Sequence, residues 1–194
     1  IYTTGNTLSL HDALPIFFLG PVILGWHGKQ WDATFAAGQW FDTADFDQNN
    51  PASVGKGYQT TMITLGGMWH FDEAKRWNVS ALSRYETKGE QEDTGVTPGD
   101  SWLVEWGFGH RLSNGVELGL VGYNAWQLES DEGTPITEKA ERHAVGAEIG
   151  YGWRSLGLNL KAAYYHEYDA SAGGAKNGLE SQGDTLRLQL TKAL

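Results

Sequence analysis

The chain contains no cysteine, which excludes a disulfide framework and any metal site that is built on thiolates. It also lacks an apolar run close to the ~20 residues that a membrane-spanning helix requires. The best candidate, residues 17–26, is too short and contains Pro21 and two glycines. We therefore expect no transmembrane helix.

Basic residues are scarce, since 14 Lys and Arg stand against 24 Asp and Glu, a net charge of −10. Proteins that bind nucleic acids present patches of Lys and Arg to the phosphates, so we expect no nucleic-acid partner. The histidines form no zinc motif of the HExxH kind. Asp42, Asp45 and Asp47 offer oxygen ligands for Ca²⁺, but their spacing matches no EF-hand loop. A solvated acidic loop is favoured, and we expect neither a metal nor a cofactor.

Glycine and tryptophan are abundant, with 26 and nine residues. Glycine permits tight turns and close approach of strands, and tryptophan suits membrane interfaces. Many segments alternate apolar and polar residues, the period of a β-strand. Residues 185–194 show this well, because Leu186, Leu188 and Leu190 fall on one face and Arg187 on the other. The sequence therefore predicts strands with one apolar and one polar face.

The alternation predicts nine strands, at about 18–26, 31–41, 58–70, 77–88, 101–112, 115–128, 143–153, 156–168 and 185–194. Long connections are expected at 42–57, 88–100, 129–142 and 169–184, and tight turns near 27–30, 71–76, 112–115 and 153–155. Long loops at one end and tight turns at the other are typical of a transmembrane β-barrel. We therefore predict an all-β fold, an antiparallel up-and-down transmembrane β-barrel.

Aromatic residues concentrate near the predicted strand ends, as in the interface girdles of membrane barrels. One group comprises Trp26, Trp31, Trp69, Phe71, Trp77 and Trp153, and the other Trp40, Phe41, Tyr58, Tyr85, Trp102, Trp126, Tyr164 and Tyr168. If Leu194 lies at the periplasmic end, every long loop is extracellular. The alternative is a soluble barrel or sandwich that buries its apolar faces in a core.

Residues 7–16 read TLSLHDALPI, which resembles one reading frame of a sequencing adapter. We therefore interpret 1–16 as a non-native segment and 17–194 as the C-terminal portion of a barrel. The alternative is a genuine amphipathic segment. Single-chain bacterial barrels have even strand numbers, so nine strands indicate that N-terminal strands and a signal peptide are missing from this sequence.

Three segments carry a resemblance to a known family. They are PVILGWHGKQWDATFAAGQWFDTADFD at 21–47, YQTTMITLGGMWHF at 58–71 and HRLSNGVELGLVGYNAWQL at 110–128, and an acidic loop follows the last. Residues from about 20 to 194 resemble the outer-membrane family named for the meta-pathway of phenol degradation. The resemblance implies a β-barrel in the outer membrane of Gram-negative bacteria, linked to uptake of small aromatic or hydrophobic compounds.

The partners expected of such a barrel are outer-membrane lipid, lipopolysaccharide, the solutes themselves and the barrel-assembly machinery, which reads the C-terminal strand. Nine charged residues on the polar faces are predicted to line the lumen: Arg84, Glu86, Glu105, Arg111, Glu117, Glu148, Lys161, Glu167 and Arg187. They either tune a channel or transporter for small hydrophobic or aromatic compounds, or pair with one another in a structural barrel without transport. Both interpretations stay open.

An outer-membrane lipid hydrolase is a third function to consider. Such an enzyme places Ser and His on its lipid-facing wall, and Ser83 with His166 are the candidates in this chain. They fall on different predicted strands, and no motif supports them. We therefore expect no enzymatic activity.

Overall fold

The computed structural model describes residues 16–44, 46, 47, 49, 55–171 and 182–192. Nine strands form one sheet: β1 (Ile16–His27), β2 (Trp31–Asp42), β3 (Thr60–His70), β4 (Trp77–Lys88), β5 (Ser101–Arg111), β6 (Val116–Gln127), β7 (Glu141–Trp153), β8 (Leu158–Ser171) and β9 (Asp184–Lys192). Each strand pairs antiparallel with its neighbours in the chain. The predicted arrangement of nine antiparallel up-and-down strands is confirmed.

Short turns and long loops alternate between these strands as predicted. The short connections are 28–30, 71–76, 112–115 and 154–157, the last with a 3₁₀ turn at Arg154–Leu156. At the β5–β6 turn, Gly115 has a φ of 87° and its N–H donates to the Leu112 carbonyl oxygen at 3.0 Å. That backbone conformation favours glycine, which explains why Asn114-Gly115 predicts a hairpin.

β1 departs from regular alternation because it contains a bulge. The pairing of β1 with β2 shifts between Leu19 and Val22, so these two residues lie on the same face although three positions separate them. Gly20 and Pro21 occupy the irregularity. Proline has no N–H for a sheet ladder and is confined to edges and bulges. The bulge explains the weak pattern of the first predicted strand.

The strand register gives the sheet two chemically different faces. The apolar face includes Ile63, Leu65 and Trp69 of β3 and their neighbours across the sheet, and its side chains are exposed. On β9 the exposed fractions of Leu186, Leu188 and Leu190 are 68%, 69% and 68%. We name the opposite surface the polar face.

The few buried side chains lie on the polar face. They include Met62, Thr64, Tyr165 and Glu167. Within the described part of the chain, no large side chain is fully buried. The apolar face is therefore not packed into a core formed by the described residues.

The sheet curls strongly toward its polar face. Glu105 of β5 and Arg187 of β9 lie four strand positions apart, about 19 Å in a flat sheet with the usual interstrand spacing. Their side chains nevertheless approach to 3.6 Å. Because two side chains cannot span the flat distance, the polar face must be the inside of a curved surface.

Some sequence predictions fall outside the described residues. These are most of the segment 1–16, Asp45 of the acidic loop, the greater part of the last long connection, and Leu194. None of the described residues belongs to a helix with the length and apolar character of a membrane span.

Candidate functional site

All nine charged residues that were predicted to line a lumen lie on the polar face. The register places Arg84 opposite Thr64, Arg111 opposite Glu117, and Glu167 opposite Ala144. The remaining members, Glu86, Glu105, Glu148, Lys161 and Arg187, take equivalent positions on their strands. Whether this face encloses a lumen stays a prediction.

Seven of the nine residues form ion pairs on this face. Lys161 Nζ lies 2.7 Å from Glu148 Oε1, and Arg187 lies 3.6 Å from Glu105. The other pairs are Arg111–Glu117 and Arg142–Glu167. Each pair sums to zero charge, so the central part of the face has little net charge.

Glu167 is the most connected of these carboxylates and is only 5% exposed. Its Oε1 accepts a hydrogen bond from the Tyr123 hydroxyl at 2.6 Å and lies 3.4 Å from Arg142 Nε. Its Oε2 accepts a bond from the Gly183 N–H at 3.0 Å. A buried carboxylate requires such partners, and these connect β6, β7 and the residues that precede β9. Arg142 was missed because the predicted strand began at residue 143.

Arg187 has a second set of partners beside Glu105. Its guanidinium donates to the Tyr165 hydroxyl at 2.6 Å and lies 5.2 Å from the centre of the Tyr165 ring. This cation–π contact joins two adjacent strands. It restrains the arginine that spans the curved face toward β5.

A cavity of about 520 Å³ remains on the polar face despite this pairing. Residues from β2 through β9 line it, among them Thr34, Leu82, Glu105, Tyr165 and Arg187. The ion pairs therefore restrict the space inside the curved sheet without filling it. We name this space the central cavity.

A smaller cavity of about 260 Å³ lies where the polar face meets the long loops, and we name it the loop-end cavity. Its lining includes Trp40, Tyr58, Arg84 and Glu86. Arg84 and Glu86 are the two predicted residues that make no ion pair with another described residue. Trp40 lies opposite Thr60, which places it on the polar face and not in the exposed girdle expected from sequence.

The loop-end cavity also perturbs a tyrosine. Burial, with smaller contributions from the charges of Glu86, Asp131 and Asp42, raises the pKa of the Tyr58 hydroxyl. The higher pKa keeps the hydroxyl protonated, and able to donate a hydrogen bond, to a higher pH than an ordinary tyrosine. Sequence reasoning assigned Tyr58 to an interface girdle and did not predict this environment.

Hydrogen bonds join three long loops at this end of the sheet. Thr97 and Glu132 exchange backbone bonds of 3.1 and 2.9 Å between loops 89–100 and 128–140. The Glu92 N–H donates to the Gly57 carbonyl at 2.8 Å and reaches the loop between β2 and β3. Lys88 Nζ donates to the Gly99 carbonyl at 2.7 Å. Contacts between loops leave no periodic signal in a sequence.

Ser83 and His166, the hydrolase candidates, do not form a site together. Ser83 Oγ accepts a hydrogen bond from Trp102 Nε1 at 2.8 Å, and His166 Nδ1 lies 2.9 Å from Asp184. The two residues belong to β4 and β8, which are four strand positions apart. Among the described residues, no group of three or more His, Asp or Glu side chains is arranged to hold a metal ion.

The geometry defines a class of protein: a nine-stranded antiparallel up-and-down sheet with an exposed apolar face and a charge-paired polar face. Residues 13–182 match the family described as "Putative MetA-pathway of phenol degradation". The chain belongs to this family, which confirms the resemblance found in the sequence. No curated protein and no solved structure matches the chain.

Proposed function

We propose that the chain is part of an outer-membrane β-barrel that allows small hydrophobic or aromatic compounds to cross the membrane. The observation that carries this proposal is the exposed apolar face, exemplified by Leu186, Leu188 and Leu190, each about two-thirds exposed. Soluble monomers rarely expose a continuous apolar surface of this extent. The hydrocarbon of a bilayer is the environment that such a sheet requires.

The charge distribution of the polar face supports passage of uncharged compounds. The charged residues that line the central cavity form two ion pairs, Glu148–Lys161 and Glu105–Arg187, so their charges sum to zero. A pore lined by unpaired charges of one sign selects ions, whereas paired charges offer no such preference. The family name adds a connection to phenol degradation.

The proposal is tested with the full-length protein in a Gram-negative host. We expect the protein in the outer-membrane fraction, resistant to carbonate extraction, and faster uptake of radiolabelled phenol or of a fluorescent naphthylamine by cells that express it. Cells that express an unrelated outer-membrane barrel at equal level are the control. A protein recovered in the soluble fraction, or equal uptake in both strains, would contradict the proposal.

A structural barrel without transport is the second candidate, because seven of the nine predicted lumen residues are paired with described neighbours. A barrel whose interior is filled and closed to solutes would also contain such ion pairs. Planar-bilayer recordings of the full-length protein separate the two. Discrete conductance steps support a pore, whereas an inserted protein without conductance and without an effect on uptake supports the structural role.

Interaction with lipid, lipopolysaccharide and the barrel-assembly machinery forms part of the same proposal, as does the absence of enzymatic activity. Outer-membrane insertion that fails when the assembly machinery is depleted would support the assembly interaction. Phospholipase assays on the purified full-length protein test the last point, and hydrolysis lost in a Ser83→Ala variant would contradict it.

A further inference from the structure

Two polar groups beside the loop-end cavity have no partner among the described residues. Arg84 Nε and Thr64 Oγ1 are both buried and make no hydrogen bond with the described part of the chain. The two residues face each other across β3 and β4, and Thr64 is 7% exposed. Buried donors are normally satisfied, and a buried N–H without an acceptor is costly. The position of Arg84 therefore favours a ligand with an acceptor oxygen.

The remaining lining of the cavity favours an aromatic ligand. Trp40 and Tyr58 contribute ring surfaces beside Arg84, and aromatic rings pack favourably with one another and with the edges of planar ligands. The volume of about 260 Å³ limits the ligand. A cavity of roughly 150 Å³ accommodates benzene, and pockets for drug-sized ligands begin near 300 Å³. One substituted ring is the size that fits.

We propose that the loop-end cavity binds a single-ring aromatic compound through Trp40 and Tyr58 and holds its oxygen substituent by a hydrogen bond from Arg84. Phenols and benzoates share this chemistry. The inference rests on the proposed function, because the bound compound is the solute that crosses the membrane, captured before it reaches the central cavity.

The acidic residues at the cavity restrict the ligand further. Asp42 is already engaged, since its carboxylate accepts hydrogen bonds from the backbone N–H groups of Ala44 and Gly57. The carboxylates of Asp42 and Glu86 offset the charges of Arg84 and Lys56 in the lining, so the cavity has no excess positive charge for a second anionic group on a ligand. We therefore expect a preference for one oxygen substituent over two carboxylates on the same ring.

Equilibrium binding tests this inference on full-length protein in detergent micelles, by calorimetry with benzoate, phenol, toluene and cyclohexanecarboxylate. We expect benzoate and phenol to bind more tightly than toluene, and cyclohexanecarboxylate to bind more weakly than benzoate. Arg84→Met should weaken benzoate binding by about tenfold or more, the size of one charge-assisted hydrogen bond, and leave toluene binding unchanged. Trp40→Leu should weaken the binding of all three aromatic compounds.

Arg76→Met and Trp69→Leu are the matched controls, because they repeat the same changes at the opposite end of the sheet. They should leave all affinities unchanged. Arg84→Lys keeps the charge without the planar fork, so it should bind benzoate with intermediate affinity even if Arg84→Met does not fold. Equal benzoate affinity in the Arg84 variants and the parent, or equal affinity for benzoate and cyclohexanecarboxylate, would overturn the inference.

The binding experiment and the uptake experiment test different claims, so either one can fail without the other. Normal phenol uptake without measurable binding in micelles overturns the loop-end site and leaves the proposed function intact. Binding of benzoate at the site in a protein that neither conducts nor changes uptake overturns the transport role instead.

Discussion

Trp106 of β5 packs directly over Gly122 of β6, its partner across the strand pair. A Cβ atom added to Gly122 would lie 2.3 Å from Trp106 Cζ2 and 2.6 Å from the Ala144 carbonyl oxygen. The indole N–H donates to Asn124 Oδ1 at 3.1 Å, and Asn124 in turn contacts His143 Nδ1 at 2.9 Å. These bonds satisfy polar groups that lie on the apolar face.

Replacing Gly122 with alanine should therefore destabilise the protein. The added methyl group displaces Trp106 and meets a backbone carbonyl that cannot rotate away, and overpacking of this kind costs about 1–3 kcal/mol. The measurement is urea unfolding of the reconstituted protein, followed by tryptophan fluorescence. Gly119→Ala is the control, since its Cβ would meet nothing closer than 3.5 Å. Equal unfolding midpoints for the two variants would refute the packing argument.

The Glu148–Lys161 pair should show measurable coupling in a double-mutant cycle. Lys161→Met leaves the Glu148 carboxylate, which is mostly covered, without its partner at 2.7 Å. We expect a loss of about 1–3 kcal/mol, part of which Glu148→Gln recovers in the double variant. Unfolding free energies of the four proteins give the coupling. Strictly additive single-variant effects would show that the pair does not stabilise the fold.

Acid should selectively weaken the β3–β4 turn. Asp72 Oδ1 accepts backbone bonds from Trp77 and Arg76, each 2.8 Å long. The bond from Trp77 is the main reason that the pKa of Asp72 lies below its ordinary value of 3.8. Because the folded pKa is depressed, the stabilisation is complete above the unfolded pKa and is lost as pH falls through the folded one.

Asp72→Ala should accordingly lower the unfolding midpoint at pH 7, and the difference from the parent should shrink as pH falls below about 4. Glu73→Ala, a change at the next residue, is the control and should leave the midpoint unchanged at either pH. The measurement is the urea midpoint as a function of pH. A difference between Asp72→Ala and the parent that stays constant down to pH 2 would contradict the assignment.

The contact between loops 89–100 and 128–140 should be captured by a disulfide. Thr97 and Glu132 form a hydrogen-bonded antiparallel pair, for which the Cα atoms lie about 5.5 Å apart, within the range of about 4.4–6.8 Å that disulfides require. Thr97→Cys with Glu132→Cys should form an intramolecular bond, visible as a mobility shift on non-reducing gels. The parent has no cysteine, so the single variants are clean controls. Failure to oxidise would show that the loops separate in solution.

The strands and their faces were predictable because alternation is a local property. Leu186, Leu188 and Leu190 fall on the apolar face as expected, and Arg187 on the opposite one. β1 was harder to predict, because the bulge at Gly20 and Pro21 shifts the alternation by one position. Where a bulge lies depends on the partner strand, which the pattern of one strand does not encode.

The residues of the candidate site were predictable as a set, but their partners were not. The Glu105–Arg187 contact depends on the curvature of the whole sheet, and the environment of Trp40 and Tyr58 depends on the loops. Arg142 was missed by one residue at a strand boundary, where sequence patterns are weakest. Periodicity identifies a face, whereas a site requires distances between strands that are remote in sequence.

The strict neighbour pairing of the strands has a consequence for assembly. Among β1–β9, Trp31 and Trp69 are the paired residues that lie farthest apart in the sequence. Each strand therefore pairs only with strands that are near it in the chain. Pairing between strands that are close in sequence closes only short loops and therefore costs little chain entropy. Duplication or loss of the gene segment that encodes one hairpin would thus widen or narrow such a sheet without changing how the other strands pair. The number of strands, and with it the width of the sheet, can therefore change during evolution in steps of two.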